Sequence, residues 1–180
     1  MFVDSKTAEQ SAIVNLAYSM CAAARTAPKA CGVDHLETAV LTGEDKDRLA
    51  AEMRKVGEAL GEAGGFFCRD AAGVDASEAV VLIGAKYQVR GLNEICRLCG
   101  FADCAACAKA GAACAFTAMD LGIALGSAAS LAADARVDNR MMLSIGQAAA
   151  SLGLLGEYKM IVGLPLSASG KSVFFDRPAP

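Results

Sequence analysis

Five cysteines crowd into one short segment of this chain, and they constrain the fold more than any other feature. They stand at positions 96, 99, 104, 107 and 114, among eight cysteines in 180 residues. The first three form a C-x2-C-x4-C pattern, and Gly100 can supply the turn that wraps their thiolates round one object. Thiolates are the ligands that iron–sulfur clusters and zinc share. The pattern predicts a metal centre, a 4Fe-4S cluster, held by a segment at residues 91–115.

The fourth ligand is open between two cysteines. If a helix starts at Cys104, then Cys107 lies one turn further along the same face, close enough to bind but also placed like an ordinary buried small residue. Cys114 follows Gly111 and lies beyond a break in the chain, so it can close the site from the other side. Geometry favours Cys114, with Cys107 as the alternative.

A zinc site made of four cysteines is the main alternative to a cluster, because zinc accepts four thiolates in a tetrahedral array. Zinc sites usually pair two C-x-x-C units across a spacer of roughly 12–20 residues. Here only four residues separate Cys99 from Cys104, which favours iron–sulfur over zinc. The remaining cysteines, Cys21, Cys31 and Cys68, are scattered singly through apolar stretches and are predicted to be structural.

Length and charge narrow the class of protein further. A chain of 180 residues suits one domain, at 1–180. The net charge of −3, without a basic stripe, argues against nucleic acid as a partner. The N-terminal stretch lacks a secretory pattern, and no run of about 20 apolar residues free of glycine and charge indicates a membrane span. With the cysteine usage, these features indicate a cytoplasmic protein.

Helical and strand patterns alternate along the chain. Apolar periodicity predicts helices from Thr7 to before Pro28 and at 44–60, 116–133 and 139–152. Short apolar runs predict strands at 36–41, 79–83 and 160–164, and the second is expected to be buried on both faces. This order favours a layered α/β or α+β domain in which the cysteine segment is an insertion between a strand and a helix.

Several stretches inside and outside the cysteine segment carry a family likeness, at positions 24–30, 66–71, 96–104, 120–128, 137–140, 163–167, 170–171 and 174–177. In these stretches the chain resembles a family of uncharacterised bacterial and archaeal proteins described as containing a ferredoxin domain. The resemblance implies cluster ligands at Cys96, Cys99, Cys104 and Cys114, with Cys107 an extra cysteine. The C-x2-C-G-F-x2-C core is also similar to segments of membrane-associated redox complexes in which a distant fourth cysteine completes a 4Fe-4S site.

The order of elements carries a second likeness. Residues 25–29 are followed by a strand and a helix, and an alanine-rich helix precedes a Gly-Leu-Pro turn. This order is similar to that of the nitroreductases, which implies a layered sheet with packed helices, bound FMN and a homodimer. Arg25, Thr26 and Lys171 are the nearest matches to the residues that hold the flavin phosphate there, although the usual doubled arginine is missing.

Three further features are interpreted as structural. The stretch S-G-K-S at 169–172 resembles the end of a P-loop, but Pro165 stands where the first glycine belongs. A solvated turn is the simpler interpretation, although such a turn can bind an anion. His35, the single histidine, has no partner visible in the sequence. Asp138 or Asn139 is predicted to cap a helix.

These observations support three functional hypotheses. The first is a redox protein that exchanges single electrons with a redox carrier protein or an oxidoreductase. Arg97 and Lys109 place positive charge beside the thiolates and suit an acidic carrier. The second is an FMN-dependent nitroreductase-like enzyme with an accessory cluster. The third is a binding module stabilised by zinc.

Overall fold

A computed structural model describes residues 1–175 of the protein. The end of the last family-like stretch, at 176–177, therefore lies outside the described residues. Within 1–175 the helices are α1 (Ser5–Thr26), α2 (Gly43–Ala59), α3 (Gly65–Asp75), α4 (Cys104–Lys109), α5 (Ala115–Asp134) and α6 (Leu143–Ser151). The strands are β1 (Leu36–Leu41), β2 (Ala79–Ala85), β3 (Asp138–Asn139) and β4 (Met160–Ser167). Short 3-10 turns occupy Ala30–Gly32 and Gly61–Gly64.

The four strands form one sheet in the order β1-β2-β4-β3, and every neighbouring pair is antiparallel. The predicted mixture of helices and a layered sheet is confirmed, in its α+β form. At one end of the sheet Leu36 pairs with Ala85, which pairs with Met160. At the other end Ala79 pairs with Leu166, and Asp138 pairs with Ser167.

Helices cover both faces of the sheet, which gives three layers. Strand β2 is buried along its whole length, as its uninterrupted apolar run predicts. Because side chains alternate along a strand, Val81 and Ile83 pack on the layer of α1 and α5, while Val80 and Leu82 pack on the layer of α2, α3 and α6. The centre of the molecule is therefore one apolar strand between two helical layers.

Glycine allows helix α6 to touch the sheet backbone. A Cβ atom on Gly146 of α6 would lie 1.7 Å from the carbonyl oxygen of Ile161 in β4. On the strand side, a Cβ atom on Gly163 would lie 2.0 Å from Cγ2 of Ile145. Two backbone hydrogen bonds between Met142 and Gly163 also join the start of α6 to β4. The amide of Met142 donates to the carbonyl oxygen of Gly163 at 2.8 Å, and the amide of Gly163 donates to the carbonyl oxygen of Met142 at 3.2 Å.

One sequence-based expectation about local structure is wrong, and one helix is not predicted. Asp138 and Asn139 do not cap a helix, because they pair with β4 at the edge of the sheet, and α6 begins only at Leu143. No pattern in the sequence predicts a helix between the helix at 44–60 and the strand at 79–83. A new helix, α3, instead starts at Gly65.

Helix α5 has the length and composition of a membrane span, which corrects the expectation that no segment does. One such helix is weak evidence for a membrane span, since the core helices of soluble proteins have the same properties. In this fold α5 packs on α1 and β2, and Ser127 Oγ donates to the carbonyl oxygen of Ala23 in α1 at 3.0 Å. One face of α5 is thus part of the protein core.

Candidate metal centre

The five clustered cysteines lie between β2 and α5, in a stretch with little regular structure. No helix or strand is present from the end of β2 to Cys104, where the short helix α4 begins. Two backbone hydrogen bonds shape the chain around the first cysteines. Cys96 N donates to the carbonyl oxygen of Leu92 at 2.9 Å, and Gly100 N donates to the carbonyl oxygen of Arg97 at 3.0 Å. Gly100 has φ +79°, a left-handed conformation that glycine adopts without strain. Gly100 therefore forms a turn here, as the sequence predicts.

Side-chain caps hold the start of α4 in place. Asp103 Oδ1 accepts from Ala106 N at 2.7 Å, which is the usual N-cap arrangement. The amide of Cys104 donates to Asn93 Oδ1 at 2.8 Å, which ties the start of α4 back to the beginning of the segment. Cys104 and Cys107 are thereby presented one helical turn apart.

Cys107 lies among the other cysteines. Its side chain is fully buried, and burial together with a hydrogen bond to Cys99 raises the pKa of its thiol. The negative charge of neighbouring thiolates at Cys114 and Cys104 raises the pKa further. Its sulfur also lies 3.6 Å from the carbonyl oxygen of Ala112, to which the thiol donates. Three of the four ligands that the resemblance implies therefore surround Cys107.

Cys114 occupies the N-cap position of α5, the 20-residue helix that follows the segment. Its side chain is buried and makes no capping hydrogen bond. The first amides of a helix lack intrahelical partners and give this end a partial positive charge, which stabilises an anion. A thiolate or an anionic cluster at Cys114 is favoured by that charge.

The donor set fits an iron–sulfur cluster in kind, since thiolates are its usual ligands. Among residues 1–175, no group of three or more Cys, His, Asp or Glu side chains is already arranged as metal ligands. The thiols are gathered in one segment without being drawn into a coordination shell. Metal binding requires the ligand thiols to lose their protons. Only if Cys107 is the fourth ligand does this include the proton that it donates to Ala112.

A buried charged group lies at the base of the cysteine segment. The side chains of Arg90, Asp120 and His35 are 2%, 3% and 1% exposed. Arg90 Nη2 lies 3.0 Å from Asp120 Oδ2 and 2.6 Å from His35 Nε2. His35 Nδ1 lies 3.0 Å from the carbonyl oxygen of Val33 and 2.7 Å from Arg90 Nη2, so the guanidinium is close to both ring nitrogens. Asp120 Oδ1 also accepts from Ala30 N at 3.0 Å.

This contact corrects the interpretation of His35 as a residue without a partner. One sequence signal points to it: Asp120 is the only charged residue between positions 115 and 133 of a strongly apolar helix. A carboxylate in such a helix is usually paired when it is buried. In the structure Asp120 forms an ion pair with Arg90.

The flavin-phosphate residues suggested by the nitroreductase likeness have other partners in this chain. Arg25 Nη1 donates to Asp34 Oδ2 at 2.7 Å, and Nη2 donates to Glu37 Oε1 at 3.2 Å. Thr26 is exposed, and its hydroxyl donates to the carbonyl oxygen of Ala23 at 3.3 Å. The guanidinium of Arg25 is thus surrounded by carboxylates rather than left open to an anion.

The structure also places Arg25 and Lys171 at opposite ends of the molecule. Arg25 donates to the carbonyl oxygen of Leu36 at 2.6 Å, at one end of the sheet. Glu9 and Gly170 line a common cavity at the other end. Helix α1 connects these ends and is 22 residues long, about 30 Å. Within one chain, the two basic residues do not form a common phosphate site.

The three isolated cysteines differ from their predicted environment. Cys31 and Cys68 are exposed, and only Cys21 is half-buried. Burial raises the pKa of the Cys21 thiol. The expectation of structural cysteines in apolar surroundings is therefore wrong for Cys31 and Cys68.

Comparison with known proteins identifies relatives of the whole chain. A family model described as "Uncharacterized protein containing a ferredoxin domain (DUF2148)" matches residues 110–177. An uncharacterized protein of Archaeoglobus fulgidus is 40% identical over 187 residues, covering 98% of each chain. The chain belongs to this ferredoxin-domain family. The match to the family model includes Cys114 and begins after the other four clustered cysteines.

Solved structures similar to this member of the family have the nitroreductase fold. A nitroreductase with bound FMN from Desulfitobacterium hafniense is 16% identical, with a TM-score of 0.57 over 87% of this chain and 78% of that chain. A nitroreductase-like family protein from Bacillus cereus is 10% identical, with a TM-score of 0.58 over 92% and 80%. Nitroreductase CinD from Lactococcus lactis, in complex with nicotinic acid, is 17% identical, with a TM-score of 0.55 over 97% and 86%. At these identities the likeness shows the fold alone.

Proposed function

We propose that this protein is an iron–sulfur redox protein that binds one 4Fe-4S cluster and transfers single electrons. The observation that carries the proposal is the gathering of Cys99, Cys104 and Cys114 around buried Cys107 in one segment. The proposed ligands are Cys96, Cys99, Cys104 and Cys114, and two residues separate Cys96 from Cys99. Cys107 is the alternative to Cys114 as the fourth ligand. Membership of a family described as containing a ferredoxin domain supports the same chemistry.

A cluster of this kind accepts and releases one electron at a time. The chain contributes the thiolates, the helix terminus behind Cys114 and an exposed outer surface. Ile95 and Leu98, next to two of the proposed ligands, are among its most exposed large apolar side chains. Together with exposed Arg97 and Lys109 they form the surface where we propose that a redox carrier protein or oxidoreductase docks. The thiols require a reducing compartment, and we propose the cytoplasm.

An FMN-dependent oxidoreductase is the second candidate. The fold it shares with nitroreductases supports this function. An open cleft of about 570 Å³ beside the cysteine segment also suits a small molecule. Its wall includes Ala112, whose carbonyl oxygen accepts from Cys107, and Lys159. Because Arg25 and Lys171 lie apart, a flavin in this chain requires another phosphate site or a second copy.

Purification without oxygen, followed by metal, sulfide and flavin analysis, tests these functions together. We expect a brown protein with iron and acid-labile sulfide in equal amounts and broad visible absorption that bleaches with dithionite. A yellow chromophore released by heat favours the flavin enzyme. A colourless protein that contains zinc contradicts both redox functions and leaves the zinc-stabilised module.

We also propose that a second copy of the chain covers the outer face of α5. Met119 and Ile123 are exposed there, and Gly122 and Gly126 lie open beside them, since a Cβ atom on either glycine would have no neighbour within 4 Å. A face that carries both apolar protrusions and glycine depressions can pack against itself across a two-fold axis. A helix that is apolar all round is normally covered on every side.

We expect Ile123→Glu to convert the protein from dimer to monomer, because it would bury a carboxylate in an apolar interface. The molar mass measured by light scattering after size-exclusion chromatography reports the change. Leu60→Glu is the matched control, since Leu60 is similarly exposed but lies at the end of α2 in the other helical layer. A parent protein that is monomeric at all concentrations contradicts the proposal.

A further inference from the structure

We infer that Arg90 and Asp120 set the reduction potential of the cluster, with opposite signs. The inference rests on the proposed iron–sulfur function and assigns a role to a buried ion pair that this function does not otherwise use. Neither residue is a proposed ligand, so both would act on the cluster through their charge.

The pair is unusually well shielded from water. Both side chains are almost fully buried, and buried charges are screened far less by salt and solvent than exposed ones. Arg90 Nη1 donates to the carbonyl oxygen of Gln88 at 3.0 Å. Nη2 is in contact with Asp120 and His35. Arg90 Nε is buried and has no hydrogen-bond partner among residues 1–175. The guanidinium is thus a fixed positive group that its neighbours satisfy only in part.

Hydrogen bonds connect this group to the helix terminus that carries Cys114. The carbonyl oxygen of Gln88, which accepts from Arg90, also accepts from Thr117 Oγ1 at 3.4 Å. Thr117 lies in the first turn of α5, and its amide donates to the carbonyl oxygen of Cys114 at 2.9 Å. Two hydrogen bonds and one helical turn place the guanidinium on the order of 10 Å from Cys114. Arg90 also directly precedes the segment 91–115.

At this range a buried charge acts on a redox centre. A cluster with four thiolates is negative and becomes more negative on reduction, so a nearby cation favours the reduced form and a nearby carboxylate opposes it. In the parent protein the two charges largely offset one another. Removing one of them exposes the cluster to the other, and the direction of the shift identifies which charge remains.

The test measures the midpoint potential by dithionite titration in four forms of the protein. We expect Asp120→Asn to raise the potential, because Arg90 is left uncompensated, and Arg90→Gln to lower it. The double variant with both changes should return toward the parent value. Asp70→Asn is the matched control. Asp70 is also a buried, ion-paired carboxylate, but its partners Arg69 and Ser144 lie in the α3 and α6 layer. It should change the melting temperature and leave the potential unchanged.

A purely structural ion pair predicts a different result. Both single variants would then lower the melting temperature without moving the potential, or would move it in the same direction, and either result overturns the inference. If the Arg90→Gln variant does not fold, the Asp120→Asn variant is compared with the double variant, because these two proteins differ only at Arg90. Equal midpoint potentials in these two proteins overturn the inference. Iron and sulfide analysis of the parent separates the two proposals. A parent without a cluster overturns both, whereas a parent with a cluster and unmoved potentials overturns only the role of the pair.

Discussion

Replacing Cys114 with alanine is expected to abolish cluster retention, with iron and sulfide falling below about a tenth of the parent content. Two features of the structure lead to this expectation. The sulfur of Cys114 makes no capping hydrogen bond, so it is available to a metal. It also lies at the N-terminus of a 20-residue helix, whose unpaired amides favour an anionic ligand. Iron and acid-labile sulfide per chain, after purification without oxygen, measure the effect.

Cys107→Ala provides the decisive comparison. Cys107 is also buried, but its thiol donates to the carbonyl oxygen of Ala112 and its pKa is raised, both of which disfavour its thiolate. We expect this variant to keep its cluster. Cys31→Ala, at an exposed cysteine outside the segment, controls for the loss of a thiol as such. If Cys114→Ala matches the parent in iron and sulfide while Cys107→Ala loses both, Cys107 is the fourth ligand.

Local patterns in the sequence predict the elements that have a simple burial pattern. The uninterrupted apolar run at 79–83 predicts a strand buried on both faces, and β2 is buried at every residue. The apolar stretch at 116–133 predicts a helix, and α5 extends from Ala115 to Asp134. Each of these elements meets the core along its whole length, so its own composition is sufficient to identify it.

Elements that depend on distant contacts are not predictable in the same way. Gly64 resembles the end of a helical stretch, but its function is close packing: a Cβ atom there would lie 2.0 Å from the carbonyl oxygen of Gly57 in α2. The helix α3 follows directly because this contact lets the chain turn back against α2. Asp138 and Asn139 have the composition of a helix cap, yet the edge of β4 is available to pair with them.

In the candidate site, too, the local features are predictable from the sequence and the long-range contacts are not. Its cysteines lie within one segment, and their spacing predicts a common site without knowledge of any contact. The buried pair of Arg90 and Asp120 joins residues 30 positions apart, and His35 joins from 55 positions before Arg90. Such a group is set by the packing of α5 on the loop after β2, which no local pattern encodes. Arg25 shows the converse: its acidic partners at 34 and 37 are close in sequence and could have been anticipated.

Replacing Gly146 with alanine is expected to lower the free energy of unfolding by about 3 kcal/mol, at the upper end of the range for an overpacked core. The new methyl group would lie 1.7 Å from the carbonyl oxygen of Ile161 and 2.5 Å from its carbon. Both atoms belong to the backbone of β4, so no side-chain rotation can relieve the contact. Helix α6 must instead move away from the sheet, and its buried residues, such as Ile145 and Ala149, lose packing.

Gly65→Ala is the matched control for Gly146→Ala. Thermal unfolding of these two variants separates the contact with β4 from the general effect of alanine in a helix. Gly65, the first residue of α3, has φ −57° and no atom within 4 Å of a Cβ position. Gly65→Ala should therefore raise stability by about 0.5 kcal/mol, because alanine restricts the unfolded chain more than glycine does. Gly146→Ala should lower the melting temperature by about 10 °C for a chain of this size. Equal melting temperatures for the two variants would mean that α6 can leave β4 without cost, which contradicts the close approach of this helix to the sheet.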